Sequence, residues 1–138
     1  MTGCIVGWAH SKFGKLEGQD VEALIVEAAT DAMADAEVGP DDIDAIYLGH
    51  FNNGFSAQDF PSSLVLQADD RFRFKPATRV ENACATGSAA IYQGRDFIAA
   101  GRGKVWQGAA RCGSVAGHGG PIPTPAAGVG FWVWQVAA

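Results

Sequence analysis

Eight consecutive residues, Ala83-Cys84-Ala85-Thr86-Gly87-Ser88-Ala89-Ala90, carry no side chain larger than threonine. How closely a helix approaches its neighbours is set by the side chains at the contact. A run this small therefore belongs to a helix pressed tightly against what surrounds it. An extended segment with β-branched residues, Ala77 to Glu81, leads in and ends at Asn82. Cys84 thus falls at a strand-to-helix junction, where the first helical N–H groups lack partners and the helix dipole is positive. Both effects favour thiolate over thiol. The position also suits a buried structural cysteine, but the small-residue helix behind it favours a nucleophile.

The remaining chain alternates between two periodicities. Cys4 to Ala9 is a short apolar run closed by polar and glycine residues, which reads as a buried strand with Cys4 in the core. Asp20 suits a helix N-cap, with Glu22 adding charge in the first turn. Val21, Leu24, Ile25, Ala28, Ala29, Ala32, Met33 and Ala36 then recur at helical spacing, and Glu22, Glu27, Asp31 and Asp35 take the other face. Gly39-Pro40 closes that helix in the manner of a left-handed cap followed by proline. Ala45 to Gly49 reads as a second buried strand, followed by a Gly/Asn-rich loop from His50 to Phe55. Leu64, Val65, Leu66 and Ala68 suggest a shorter helix, and Ala77 to Glu81 the third strand. The Cys84 helix runs to about Ala100, with Gly101 as its cap. Strand and helix alternate three times, which predicts an α/β fold with a mostly parallel sheet and covering helices. Chemistry in such sheets gathers at the carboxyl ends of strands, where Cys84 lies.

Charge and cysteine usage exclude several alternatives. The net charge of -5 and pI near 5.0 give nucleic acid no electrostatic footing. No polybasic run addresses an anionic membrane, and no stretch is long and apolar enough to span one. Cys4, Cys84 and Cys112 are odd in number, far apart and without a C-x-x-C pair, against a disulfide framework or a zinc site. The N-terminus carries no signal-peptide pattern. The expected compartment is the cytoplasm. Asp41, Asp42 and Asp44 lack the glycine and distal glutamate of a calcium loop, so they read as a solvated turn and no metal is expected.

The segment Val80-Glu81-Asn82-Ala83-Cys84-Ala85-Thr86-Gly87-Ser88-Ala89-Ala90 resembles the nucleophile motif of the thiolase family, and most closely its sterol-carrier-protein-type acetyl-CoA acetyltransferases. Ile5-Val6-Gly7, Phe13-Gly14-Lys15, Asp42-Ile43-Asp44-Ala45 and Phe55-Ser56-Ala57-Gln58-Asp59 are similar to the same family. The resemblance covers about residues 3–102. It implies a thiolase-like fold, of which this chain would hold the N-terminal half. It further implies an acyltransferase in which Cys84 carries the acyl group as a thioester, with coenzyme A or acyl-CoA as substrate and no bound cofactor. Lipid or sterol side-chain metabolism is the implied setting. Asn82, His50 and Phe51 are the candidate pocket residues. Family members are usually dimeric, so a homodimer or a pairing with another thiolase-like subunit is expected, with Thr78 to Glu81 as the contact.

The character of the chain changes after Arg102. No Asp or Glu follows Asp96, and Trp106, Trp132, Trp134, Pro121, Pro123 and Pro125 all lie in this tail. Gly113 to Gly130 is dominated by Gly, Pro and Ala without periodicity, so no packed element is expected there. This reading divides the chain into a partial thiolase N-terminal domain at 1–102 and a poorly ordered, non-family tail at 103–138, truncated or frame-shifted. The family's catalytic histidine and second cysteine belong to a second half, so activity of the chain alone is not expected. His10 and His50 read as ordinary loop histidines, and His118, in Gly117-His118-Gly119-Gly120-Pro121, as a coincidental likeness to the family's Gly-His-Pro. A non-catalytic subunit acting through dimerisation is the alternative.

Overall fold

The structure, a computed structural model of the 138-residue chain, describes residues 3–14, 16–51, 57–113 and 127–136, with the backbone alone at 109–113 and 127–136. Five strands form one sheet: β1 (Gly3–His10), β2 (Ala45–Gly49), β3 (Ala77–Val80), β4 (Val105–Gly113) and β5 (Ala127–Val136), in the spatial order β1-β5-β4-β2-β3. β2 runs parallel to both β3 and β4, and β5 runs antiparallel to both β4 and β1. Four strands therefore point one way and β5 alone is reversed. The mostly parallel sheet matches the sequence expectation.

Helix α1 (Val21–Asp35) forms where its pattern predicts. The Asp20 carboxylate accepts from the Ala23 N–H at 2.8 Å, and Leu24, Ile25, Ala28, Ala29, Ala32 and Met33 are buried. Its C-terminus differs from the sequence reading. The left-handed residue is Glu37 (φ 54), and the Val38 N–H reaches back to the Met33 carbonyl at 3.1 Å, which closes the helix before Gly39. Helix α2 (Thr86–Ala99) ends as expected on Gly101 (φ 66), with the Arg102 N–H on the Phe97 carbonyl at 3.1 Å. The segment expected as a second, shorter helix is a 3-10 helix at Pro61–Gln67, followed by a 3-10 turn at Asp70–Phe72.

The strand period sorts the core onto two faces. Ile46 and Leu48 of β2 and Val105 of β4 pack with α1, Leu64, Val65 and Phe72. Ala45 and Tyr47 of β2 and Trp106 of β4 pack with Ala90, Phe97 and Ile98 of α2. The result is three layers, with α1 and α2 on opposite sides of the sheet. Tyr47 meets Trp106 edge-on at 5.7 Å and Phe97 at 6.0 Å between ring centres. Gly94 makes the α2 approach possible, since a Cβ there would lie inside the Trp106 ring.

The sequence reading expects no packed element over Gly113 to Gly130; the described residues of that stretch, 113 and 127–130, lie in the backbone of β4 and β5, the two strands between β1 and β2. Val105, Trp106 and Gln107 are all buried, and the Gln107 amide donates to the Ala29 carbonyl of α1 at 2.9 Å. Polar and glycine-rich composition hid this because the strands gain their partners from residues far away in sequence. The first strand was expected to be buried with Cys4 in the core. It is instead an edge strand with Cys4, Ile5, Val6 and Trp8 exposed, and only Gly7 packs deeply, against Ala32 and Ala36 of α1. Lys15, Asn52 to Ser56, and the His118 segment lie outside the described residues.

Candidate active site

The Cys84 junction is a tight turn rather than a direct passage from strand to α-helix. β3 ends at Val80, Asn82 takes φ −155 and ψ 57, and Ala83 takes φ 43. A left-handed conformation in a residue bearing a Cβ costs about 1 kcal/mol or more, and such strain collects at functional sites. Residues Ala83–Ala85 form one 3-10 turn, and α2 begins immediately behind it at Thr86. Cys84 sits in that turn as an exposed, free thiol.

Four hydrogen bonds hold the turn in this shape, one of them from the Thr86 backbone N–H to the Ala83 carbonyl. The Ala85 N–H donates to the Asn82 carbonyl at 2.8 Å. The Thr86 hydroxyl accepts from the Asn82 N–H at 2.9 Å and donates to the Ala83 carbonyl at 2.7 Å. Thr86 is only 3% exposed, while Asn82 and Ala83 are exposed, so both bonds are part-buried. Sequence reading assigned Thr86 only to the run of small residues. The signal was its hydroxyl three residues after Ala83, the spacing of a side-chain bond back to the main chain.

Parallel pairing brings the other candidates to the same end of the sheet. Gly49 lies beside Val80, and the His50 N–H donates to the Val80 carbonyl at 3.1 Å. The chain therefore leaves β2 as His50-Phe51 next to where it leaves β3 as Glu81-Asn82. His50, read from sequence as a loop histidine, is 1% exposed. Phe51 and Asn82 are exposed.

Arg79 joins these segments and was missed by sequence reasoning. Its guanidinium donates to the His50 carbonyl at 3.2 Å, to the Asp59 carbonyl at 3.3 Å and to the Glu81 carboxylate at 2.8 Å. One side chain thus ties the exit of β2, the 57–60 segment and the exit of β3. Arginine's fixed fork of donors suits it to spanning several acceptors at once. The available clue was a charged residue inside an otherwise uncharged strand.

The remaining candidates are used elsewhere. Asp42 accepts from the Gly39 N–H at 2.8 Å, and Asp44 accepts from Lys104 and Val105 N–H at 2.6 and 3.1 Å. Asp41 pairs with Arg71 at 3.2 Å. These oxygens cap backbone and bind a guanidinium, and among the described residues no group of three or more His, Cys, Asp or Glu is placed to hold a metal. His10 meets the Trp8 and Phe13 rings at the end of β1 in tilted arrangements, with ring centres 6.5 and 4.0 Å away and planes at 53° and 48°. Among the described residues no helix is long and apolar enough to cross a membrane.

Residues 4–107 match the family model described as the thiolase N-terminal domain. An acetyl-CoA acetyltransferase from Methanocaldococcus jannaschii is 37% identical over 102 residues, which cover 73% of this chain and 26% of that protein. The chain thus spans about a quarter of the length of this curated relative. In structure, 3-oxoacyl-[acyl-carrier-protein] synthase III from Aquifex aeolicus superposes with a TM-score of 0.74 at 15% identity, covering 99% of this chain and 54% of that one. The Acat5 thiolase from Ascaris suum, solved in complex with coenzyme A, superposes with a TM-score of 0.69 at 13% identity over 88% of this chain and 34% of that one.

Proposed function

The chain belongs to the thiolase family, and we propose that Cys84 is its acyl-accepting nucleophile in an acyl-CoA-dependent acyl transfer. The observation that carries this reading is the exposed thiol in a strained, tied turn at the N-terminus of α2, within the segment that matches the family. In the step proposed, the Cys84 thiolate attacks the thioester carbonyl of acyl-CoA. A new carbon–sulfur bond forms, the bond to coenzyme A breaks, and the coenzyme A thiolate leaves with the electron pair. The acyl group then passes from Cys84 to an incoming nucleophile, either a coenzyme A thiolate or a carbanion from a second acyl-CoA. His50, Phe51 and Asn82, at the same end of the sheet, are proposed to line the acyl-CoA pocket. No bound cofactor is required by this chemistry.

The finer setting is proposed from the same resemblance: lipid or sterol side-chain metabolism in the cytoplasm. Multiple turnover is proposed to need a base and a proton donor from outside residues 1–138, supplied by a further thiolase-like segment or subunit. In the same reading, a departure from the family beyond residue 107, where the match to the family model ends, is kept as a proposal, tested by whether another reading frame restores family sequence there. A second, non-catalytic reading, in which the chain acts by pairing with another thiolase-like subunit, is favoured by one observation. Among the described residues β3 is an edge strand paired with β2 on one side, and no described strand pairs with its other side.

Incubation with acetyl-CoA followed by acid quenching and peptide mass spectrometry tests the catalytic reading. The expected product is an acetyl adduct on Cys84 and none on the equally exposed Cys4. Iodoacetamide should likewise label Cys84 faster than Cys4 near neutral pH. Equal, slow labelling at both cysteines with no acetyl adduct would overturn the nucleophile and leave the pairing role.

A further inference from the structure

We infer that Thr86 is a positioning residue for Cys84, one that holds the cysteine turn in its strained shape through its side-chain hydroxyl. The inference rests on the reading of Cys84 as nucleophile, and its physical content concerns the turn itself. Ala83 stands at φ 43 with a Cβ, a conformation the chain abandons unless its neighbours hold it. The obvious holder would be the α-helix, yet α2 starts only at Thr86, after the cysteine. Two backbone bonds close the turn, from the Ala85 N–H to the Asn82 carbonyl at 2.8 Å and from the Thr86 N–H to the Ala83 carbonyl. The side-chain restraint is one hydroxyl.

The Thr86 Oγ1 grips both sides of the strained residue. It accepts the N–H of Asn82, before Ala83, at 2.9 Å, and it donates to the carbonyl of Ala83 itself at 2.7 Å. That carbonyl belongs to the peptide joining Ala83 to Cys84, so the hydroxyl fixes the plane from which Cys84 projects. An oxygen can perform both roles because a hydroxyl has one donor and two acceptor positions. Burial matters equally. Thr86 is 3% exposed, so its hydroxyl has little access to water as an alternative partner, and losing it would leave the Asn82 N–H without this acceptor. The β-branched methyl of threonine restricts χ1 and keeps the hydroxyl pointed at the turn. Cys84, by contrast, is exposed and free to meet a substrate. The fold therefore separates the two tasks: a buried hydroxyl sets the geometry and an exposed thiol does the chemistry.

Thr86→Val keeps the volume and removes the hydroxyl; Thr86→Ser keeps the hydroxyl and removes the methyl. Peptide-resolved alkylation by iodoacetamide across pH 6 to 9, about the range around an ordinary thiol pKa, measures Cys84 and Cys4 in the same sample. Thr86→Val should slow Cys84 by about tenfold relative to Cys4, and Thr86→Ser should return it to within about threefold of the parent, tenfold being the effect of one misplaced interaction of roughly 1.4 kcal/mol. In parallel, amide hydrogen exchange should lose protection at the Asn82 N–H in Thr86→Val while α2 stays protected. Unchanged Cys84 reactivity and unchanged Asn82 protection in folded Thr86→Val would overturn the inference. So would a Thr86→Ser variant as impaired as Thr86→Val, since packing and not the hydroxyl would then be at work. Failure of the nucleophile reading looks different: the parent Cys84 would react no faster than Cys4, whatever Asn82 does in the variants.

Discussion

Gly94 is the residue on which the closeness of α2 to the sheet depends. Two opposed effects act there. In an isolated helix, replacing glycine by alanine gains about 1 kcal/mol of propensity. Here the added Cβ would fall inside the ring of Trp106, itself fully buried between α2 and the sheet. Overpacking a filled core costs about 1 to 3 kcal/mol, and an overlap with a ring that has no room to retreat belongs at the upper end. The steric cost wins. Gly94→Ala is expected to destabilise the chain by about 1 to 2 kcal/mol in urea unfolding, the net of these two magnitudes. An unchanged or raised midpoint would mean that Trp106 moves aside freely. The small residues nearest the cysteine are looser than the sequence suggested: Ala85 is exposed, Gly87 and Ala89 are half-buried, and Ala90 is fully buried.

At the scale of elements, a 3-10 turn at Pro40–Asp42 before β2 and the one at Asp70–Phe72 before β3 are tied to each other by charge. Arg71 donates to both carboxylate oxygens of Asp69, at 2.9 and 2.7 Å, and to Asp41 across the gap at 3.2 Å. Lys75 adds bonds to the carbonyls of Asp41 and Ile43 at 3.2 and 2.5 Å. The side-chain hydrogen bond from Arg71, helped by the Arg71 backbone N–H, pulls the Asp69 carboxyl from 3.8 to about 2. A carboxyl depressed in the folded state binds fewer protons there than in the unfolded chain, so its contribution to stability is present above the unfolded value and lost on acidification. Stability should therefore fall as pH drops from about 4 toward 2, and Asp69→Asn should flatten that part of the profile. Denaturant midpoints measured across this range check the expectation, and a parallel slope in the variant would refute it. The pair is solvent-exposed, so salt should weaken the effect.

At the scale of the whole molecule, the described residues leave two edge strands, β1 at one end of the sheet and β3 at the other. They differ in how they are managed. On β1 the Trp8 N–H is taken by the Asp35 carboxylate of α1 at 2.9 Å, which blunts the ladder there. On β3 the carbonyls of Pro76 and Val80 accept from β2. In a parallel pair the alternate residues, Ala77 and Arg79, then turn their backbone groups to the open side. That edge is the proposed contact between subunits. Sedimentation at rising concentration is expected to give a dimer, and a folded monomer throughout would remove the contact.

Some of this was decided by the residues alone, because the physics is local. Asp20 followed by apolar residues at helical spacing makes α1 whatever else the chain does. Gly101 ends α2 because the residue after the cap needs a positive φ. The family was legible in the cysteine motif, since that motif sits within one strand, one turn and one helix. Other features needed the assembled sheet. Cys4 is exposed because β1 is an edge strand, which only the order of five strands determines. β4 and β5 pair with partners far away in sequence, so a Gly-rich, unpatterned segment concealed the two strands that lie between β1 and β2. Ala83 is held at a positive φ by Thr86, and α2 is seated by Gly94 on Trp106, contacts no periodicity describes. Sequence fixes what each segment prefers alone. Packing decides which surfaces remain open, and here it left Cys84 in solvent on a turn that the buried Thr86 side chain holds in place.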